Sequence, residues 1–212
     1  MMGPCYGTGT AKPNDDDSVA DIVTPEFFNA IIDEAEDHCA GKNFYSRDAF
    51  LDALIAYNHF ARTASSYDSK REIAAAFAHF THETRRFCYL GEIEGASKNY
   101  CGKTTKKYPC AHDKGYHGRE PIQLSWNFNY GPAWESNGFD GLNTPDTVVA
   151  TFKTALWDWT EHVRPSSTRG FGSTIRANNG HLECDGANPE TAETRSITIV
   201  QLDVDHGENL TC

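Results

Sequence analysis

The chain contains no apolar run near the ~20 residues that a membrane-spanning helix requires. Its first residues, MMGPCYGTGT, are polar and glycine-rich and lack the charged-then-apolar pattern of a signal peptide. Positive charge is also short: 19 Lys and Arg against 30 Asp and Glu give a net charge of −11. That balance argues against nucleic acid or an anionic membrane as a partner and suits a neutral polymer or a small molecule. No Gly-rich phosphate loop and no GxSxG nucleophile elbow occurs. His82-Glu83 begins an HExxH zinc motif, but Arg86 stands where the second His is needed. Strand signals are few and short, and no internal repeat is present.

What the chain has is apolar material for one core. Its 212 residues are 39% hydrophobic and 12% aromatic, which fits a single globular domain with or without a tail. Seven cysteines point to an oxidising compartment, although no export signal stands in the sequence. An odd count leaves at least one thiol over, and Cys5, in a polar tail, is the natural one. Residues 3–18, GPCYGTGTAKPNDDDS, carry too little apolar surface to fold and are expected to be a flexible linker, with order beginning near Val19.

Helix signals then follow in series. Thr24-Pro25 is an N-cap with Pro at the first helical position, continued by Phe28, Ile31, Ile32 and Ala35 up to Gly41. Ser46 can cap a second helix with Phe50, Ala53, Leu54, Tyr57 and Phe60 on one stripe. Ser69-Lys70-Arg71-Glu72 reads as a capping box opening a third, with Ile73, Phe77, Phe80 and Thr84 inward. Thr144-Pro145 opens a fourth, with Val149, Phe152, Leu156 and Trp159 inward and Asp158 toward solvent; Asn188-Pro189 repeats the signal. Between about 85 and 124 lies a long aperiodic stretch that needs staples, and Cys101 and Cys110 are well spaced to close a loop. Zinc bound by Cys101, Cys110, His112 and His117 is the competing use of those cysteines, but the spacing fits no closed zinc module. His38, His59 and His79 read as core-edge or surface histidines.

Glu83 lies about 80° from Ile73 at the helical period, on the shoulder of the buried stripe. Most acids at such positions are solvated flank residues. Partial desolvation and the nearby helix C-terminus would both favour the protonated carboxyl that a general acid needs. Glu92 and Glu94, nine and eleven residues on, could fold back across a cleft. Two carboxyls in unlike surroundings are the apparatus of glycoside hydrolysis.

Seven segments in order make the reading specific. CAGKNFYSRDAFLDA (39–53), AHFTHET (78–84), GEIEGASKNYC (91–101), GREPIQLSWNFNYG (118–131), FKTALWDW (152–159), IRANNGHLEC (175–184) and GENLTC (207–212) resemble the signatures of plant family 19 chitinases, class IV type. The resemblance covers about residues 19–212, and Gly3-Pro4-Cys5 look like the stub of a hevein-like chitin-binding domain followed by its hinge. It implies a mainly α, two-lobed, lysozyme-like fold with long disulfide-stapled loops. It also implies endo-hydrolysis of β-1,4-linked N-acetylglucosamine chains with inversion, in plant defence, by a secreted or vacuolar monomer without metal or cofactor. Carried over, Glu83 is the general acid and Glu92 the general base, with roughly 6.5–9.5 Å between carboxyls for the water. Ser125 would help hold that water. Gln123, Asn129, Asn179, Trp126 and Tyr116 would bind sugar, and Glu183 and Arg195 would form a charged cluster behind the acid. The pairing it implies is Cys39–Cys88, Cys101–Cys110 and Cys184–Cys212.

Departures from the family pattern define a second reading. HETGHF is HETRRF here, which sets Arg85 and Arg86 beside the acid; His117 replaces a tyrosine, Glu120 a glycine and Phe128 a cleft tyrosine, and Asp158 and Thr160 break a tryptophan-rich signature. With Glu120 expected to add a third carboxylate to the cleft, the alternative is a chitinase-like protein that binds oligosaccharides with weak or no catalysis.

Overall fold

The structure is a computed structural model that describes residues 18–63, 65–146 and 152–188, together with 190, 191 and 193–195. Apart from Ser18, the expected linker lies outside the described residues, as do Val149 and Cys212. The α-helices include α1 (Val19–Ile22), α2 (Pro25–Ile32), α3 (Arg47–Leu54), α4 (Ser66–Thr84), α5 (Asn127–Asn137), α6 (Phe152–Asp158) and α7 (Phe171–Glu183), and residues 190, 191 and 193–195 are helical as well. A π-helical turn, Trp159–Val163, and a 3-10 turn, Arg164–Arg169, join α6 to α7. Among the described residues β structure is limited to two isolated antiparallel bridges, Gly91 with Arg119 and Arg119 with Leu124. No described helix is long and apolar enough to cross a membrane.

Two expected caps form as read. Thr24 Oγ1 accepts from Phe27 N (3.1 Å), and Ser46 Oγ accepts from Ala49 N (3.1 Å). Both helices are shorter than their apolar stripes. α2 stops at Ile32, before Asp33, Glu34, Glu36 and Asp37, whose charges oppose the helix dipole. α3 stops at Leu54, and Tyr57 and Phe60 pack from turns instead. The N-cap of α4 is one turn earlier than expected: Ser65 Oγ accepts from Asp68 N (3.0 Å). Ser69 is inside the helix, back-bonded to Ser65 O (3.1 Å). Glu72, read as its reciprocal acid, is buried and takes Trp159 Nε1 (3.1 Å) and Arg164 Nε (3.0 Å).

α4 is the axis of the larger lobe. Residues from Ile73 to Thr81 are buried without interruption, as expected for a helix surrounded by protein. Phe77 is fully buried and meets Phe27, Phe28, Phe50, Phe80 and Phe87 at ring-centroid distances of 5.0–6.3 Å. Truncation of such a ring to Ala costs about 3–5 kcal/mol. A smaller apolar cluster, Tyr116, Tyr130 and Trp134, forms the second lobe. It is closed by the Cys101–Cys110 disulfide and by Asn127, whose side chain bonds Gly102 N (2.7 Å) and Tyr108 O (2.6 Å). With their sulfurs joined to each other, these two cysteines cannot form the alternative zinc set. Cys39–Cys88 ties the loop before α3 to the end of α4. Cys184 is disulfide-bonded, and its expected partner Cys212 lies outside the described residues.

Candidate active site

A cavity of about 740 Å³ lies between the lobes. Glu83 lines one wall because α4 ends there. Arg85, the C-cap, is left-handed (φ 50°), and Arg86 (φ 59°) and Phe87 (φ 60°) continue in that region. Thr84 stabilises this reversal: its Oγ1 donates to Phe80 O (2.6 Å) and accepts from Phe87 N (2.9 Å). The last turn of α4 is therefore fixed, with Glu83 partly exposed to the cavity (18% of the side chain).

Behind Glu83 is a buried charge cluster. Arg195, fully buried, donates to Glu83 Oε1 (2.8 Å), to Glu183 Oε1 (2.6 Å) and Oε2 (3.2 Å), and meets His79 Nδ1 (2.7 Å). His79 is fully buried rather than at the core edge; burial first and Arg195 second hold it well below the usual histidine range. A kink in α7 at Asn179 (φ −147°, ψ 32°) serves the same wall. Asn178 Nδ2 donates to Glu83 Oε1 (2.8 Å), and Asn179 Nδ2 to Glu183 Oε1 (2.9 Å).

Glu92 lines the same cavity. The bridge of Gly91 to Arg119, Glu92 N to Gly118 O (2.8 Å) and Glu120 N to Leu90 O (3.0 Å) tie its loop to residues 118–120. Its Oε1 accepts from Lys98 Nζ (2.6 Å) and Tyr100 OH (2.7 Å), and its Oε2 from Gly118 N (3.2 Å). Partial burial pushes this carboxyl upward, but the three hydrogen bonds outweigh burial and hold it below the ordinary glutamate value. Glu92 is thus kept ionised, as a base requires. Lys98, Tyr100 and Asn178 were not singled out from the sequence. Lys98 and Tyr100 lie six and eight residues after Glu92, so a loop folding back within its own segment was the signal available for them. Asn178 had none, because the kink that aims it was not legible.

Of the other residues expected at the site, Gln123, Ser125, Trp126, Asn129 and Asn179 line the same cavity. The loop that carries the first three of them is held at positive φ at Glu120 (φ 64°), Gln123 (φ 50°) and Trp126 (φ 74°). Strain of this kind persists where surrounding structure enforces it. Trp126 stacks on Phe128 (5.6 Å) and meets Tyr100 edge-on (5.2 Å).

Tyr116 does not reach the cavity. It is fully buried in the second lobe, and its hydroxyl is taken by Ala111 N (2.8 Å) and Leu142 O (3.0 Å). Glu183 and Arg195 are likewise enclosed and off the cavity; Arg195 bonds Glu83, and Glu183 is linked to it through Arg195. Nor does Glu120 add a carboxylate there: its side chain is buried toward Tyr45 and Tyr130, outside the cavity lining. His117 also lies off the cavity, over Gly95. Arg85 does line the cavity, with its guanidinium 5.7 Å from the Tyr89 ring, while Arg86 turns away to pair with Glu34. Asp158, expected to face solvent, is buried on the cavity wall because α6 is enclosed nearly all round: of its residues only Lys153 escapes burial, so the helix has no solvent face for Asp158 to occupy.

Residues 22–169 match the family model described as Chitinase class I, glycoside hydrolase family 19. Over the whole chain the sequence is 58% identical to Endochitinase EP3 of Arabidopsis thaliana, of which it covers 80%. The chain belongs to the family 19 chitinases. The crystal structure of a family GH19, class IV chitinase from Zea mays superposes with a TM-score of 0.85 at 49% identity, over 90% of this chain and 98% of that one. Chitinase C from Streptomyces griseus gives a TM-score of 0.79 at 36% identity, over 90% of this chain and 80% of that one. The lysozyme-like fold of family 19 is therefore the frame in which both glutamates face one cleft.

Proposed function

We propose that this family 19 chitinase cuts chitin and chito-oligosaccharides internally, with inversion, using Glu83 as general acid and Glu92 as general base. The observation that carries the reading is that both carboxyls line one cavity in unlike surroundings. Glu83 gives its proton to the glycosidic oxygen as the bond from that oxygen to C1 breaks. Glu92, held ionised by Lys98 and Tyr100, takes a proton from water as the water oxygen bonds C1 from the other face. Exchange with solvent then resets both groups. Ser125, which lines the same cavity, holds the water in this reading, and Gln123, Asn129 and Asn179 offer amide donors and acceptors to acetamido and hydroxyl groups. Trp126 offers a ring face. Glu183 and Arg195 act as positioning residues through Glu83.

The weak-catalysis alternative rested mainly on Glu120 and His117 crowding the cleft, and neither lines the cavity. In cellular terms, the proposal is a monomer, secreted or vacuolar, acting in plant defence, with residues 1–18 as the stub and hinge of a chitin-binding domain and 19–212 as the catalytic domain. The test is Glu92→Gln on a chitin hexamer. Activity should fall by about 10²-fold or more, and added azide should restore part of it by attacking C1 without a base. A Glu92→Gln variant as fast as the parent would remove Glu92 from this role.

A further inference from the structure

The cavity carries a pair that the two-carboxylate reading leaves without a task. Asp158, the last residue of α6, is buried, and its Oδ1 lies 2.8 Å from Nδ1 of His162. Both residues line the cavity that holds Glu83 and Glu92. His162 belongs to the π turn Trp159–Val163, a local geometry found frequently at functional sites. Its ring is fixed from two sides, by Asp158 and by the edge of Trp157 at 5.0 Å, while nearly half of the side chain stays exposed (46%).

The hydrogen-bond roles follow from this arrangement. A carboxylate only accepts, so Nδ1 of His162 carries the proton and donates to Asp158. Nε2 is left for the cavity. Asp158, by its hydrogen bond first, raises the histidine above its usual value, with Glu161 adding in the same direction and partial burial opposing. Across the cavity the ionisable neighbours are Glu83, Arg85, Glu92, Lys98 and His181. Below neutral pH Nε2–H is a charged donor that suits an amide carbonyl or hydroxyl oxygen and repels an ammonium group.

We propose that His162, oriented by Asp158, is a specificity-determining residue that admits N-acetylglucosamine and rejects de-N-acetylated glucosamine at one sugar position of the cleft. The proposal rests on the chitinase reading above. Glucosamine differs from its acetylated form by exchanging a neutral acetamido group for a cationic amine. A fixed imidazolium on the wall discriminates between these by charge as well as by hydrogen bonding.

The experiment digests partially N-acetylated chitosan at mildly acidic pH, where the imidazole and the free amines are both protonated. Mass spectrometry then reads which sugars occupy each position beside the cut. The parent should leave one position almost wholly N-acetylated. His162→Ala should raise glucosamine at that position by about threefold or more and raise KM for the fully acetylated hexamer, with kcat within about twofold. His162→Gln, a neutral donor, should recover KM but not the exclusion of glucosamine. If the parent and His162→Ala leave the same sugars at every position while both cleave the acetylated hexamer, the inference is wrong and the chitinase reading stands. If the parent fails to cleave that hexamer, both are wrong.

Discussion

Replacing Glu83 by Gln separates the chemistry of the site from its architecture. The Gln carbonyl oxygen can occupy the place of Oε1 and accept from Arg195 Nη2 and Asn178 Nδ2, each 2.8 Å away in the parent. Arg195 keeps Glu183, through contacts of 2.6 and 3.2 Å, so the buried cation retains a full counter-charge. Stability should therefore stay within about 1 kcal/mol of the parent, a melting shift of roughly 2–4 °C at most for a chain of this size. Turnover should not survive, because an amide donates no full proton to the leaving oxygen. Loss of a general acid costs about 10²–10⁴-fold, or roughly 3–5 kcal/mol of barrier. Calorimetric titration with a chitin hexamer should give an affinity within a few-fold of that for shorter, uncleaved oligomers bound by the parent. A folded variant that retains more than about a tenth of the parental kcat would refute the assignment of the acid. Arg195→Met is the informative contrast. It leaves Glu83 and Glu183 facing each other without their cation, and should destabilise the fold by about 3–5 kcal/mol.

Arg85→Gly should stabilise the protein, since the left-handed C-cap costs a side chain roughly 1–2 kcal/mol and the added freedom of unfolded glycine returns about 0.4–1; a net gain near 0.5–1 kcal/mol raises the melting temperature by about 1–4 °C, and a lower value would show that the Tyr89 contact dominates. Lys98→Met removes the first of the hydrogen bonds that lower Glu92, so the acid limb of kcat/KM should move to higher pH; an unmoved limb would mean that Glu92 does not report there. Glu120→Gly should leave kcat and KM near parental values, because the side chain lies off the cavity and the backbone bonds to Leu90 and Gln123 are retained. Acidification should weaken the fold. His79, His82 and His117 sit below their ordinary values when folded, mainly through burial, and His162 above. On balance the unfolded chain takes up more protons as pH falls through about 6.5, so stability is lost in that direction. A melting temperature that rises from pH 7.5 to 5.5 would contradict this.

Helix existence was legible in the sequence because Thr24 and Ser46 are local caps and Phe28, Phe50 and Phe77 obey the helical period. Helix ends were not. α2 and α3 terminate where charge and turns override an apolar stripe, and Ser65 competes with Ser69 for the start of α4 using the same hydroxyl chemistry. Glu83 was legible as a half-buried acid on a helix shoulder, and Glu92 as a nearby acid, but the pairing of the two came from the motifs. The surroundings that make them unlike, Asn178 and Arg195 on one side and Lys98 and Tyr100 on the other, depend on a kink and a loop reversal with no periodic signature. Asp158 was misplaced for a different reason: a helical period predicts a solvent face only for a helix that has one, and α6 is buried at every position but Lys153. Tyr116 was misassigned because a motif records which residues recur together and not which of them are enclosed.

The account turns on two carboxylates acting from opposite faces of the sugar, and the anomer first released reports that directly. Proton NMR of a chitin hexamer within the first minutes of digestion should show the new reducing ends as α, ahead of mutarotation. New ends that appear first as β would mean retention, and Glu92 would not be activating water on the face opposite Glu83.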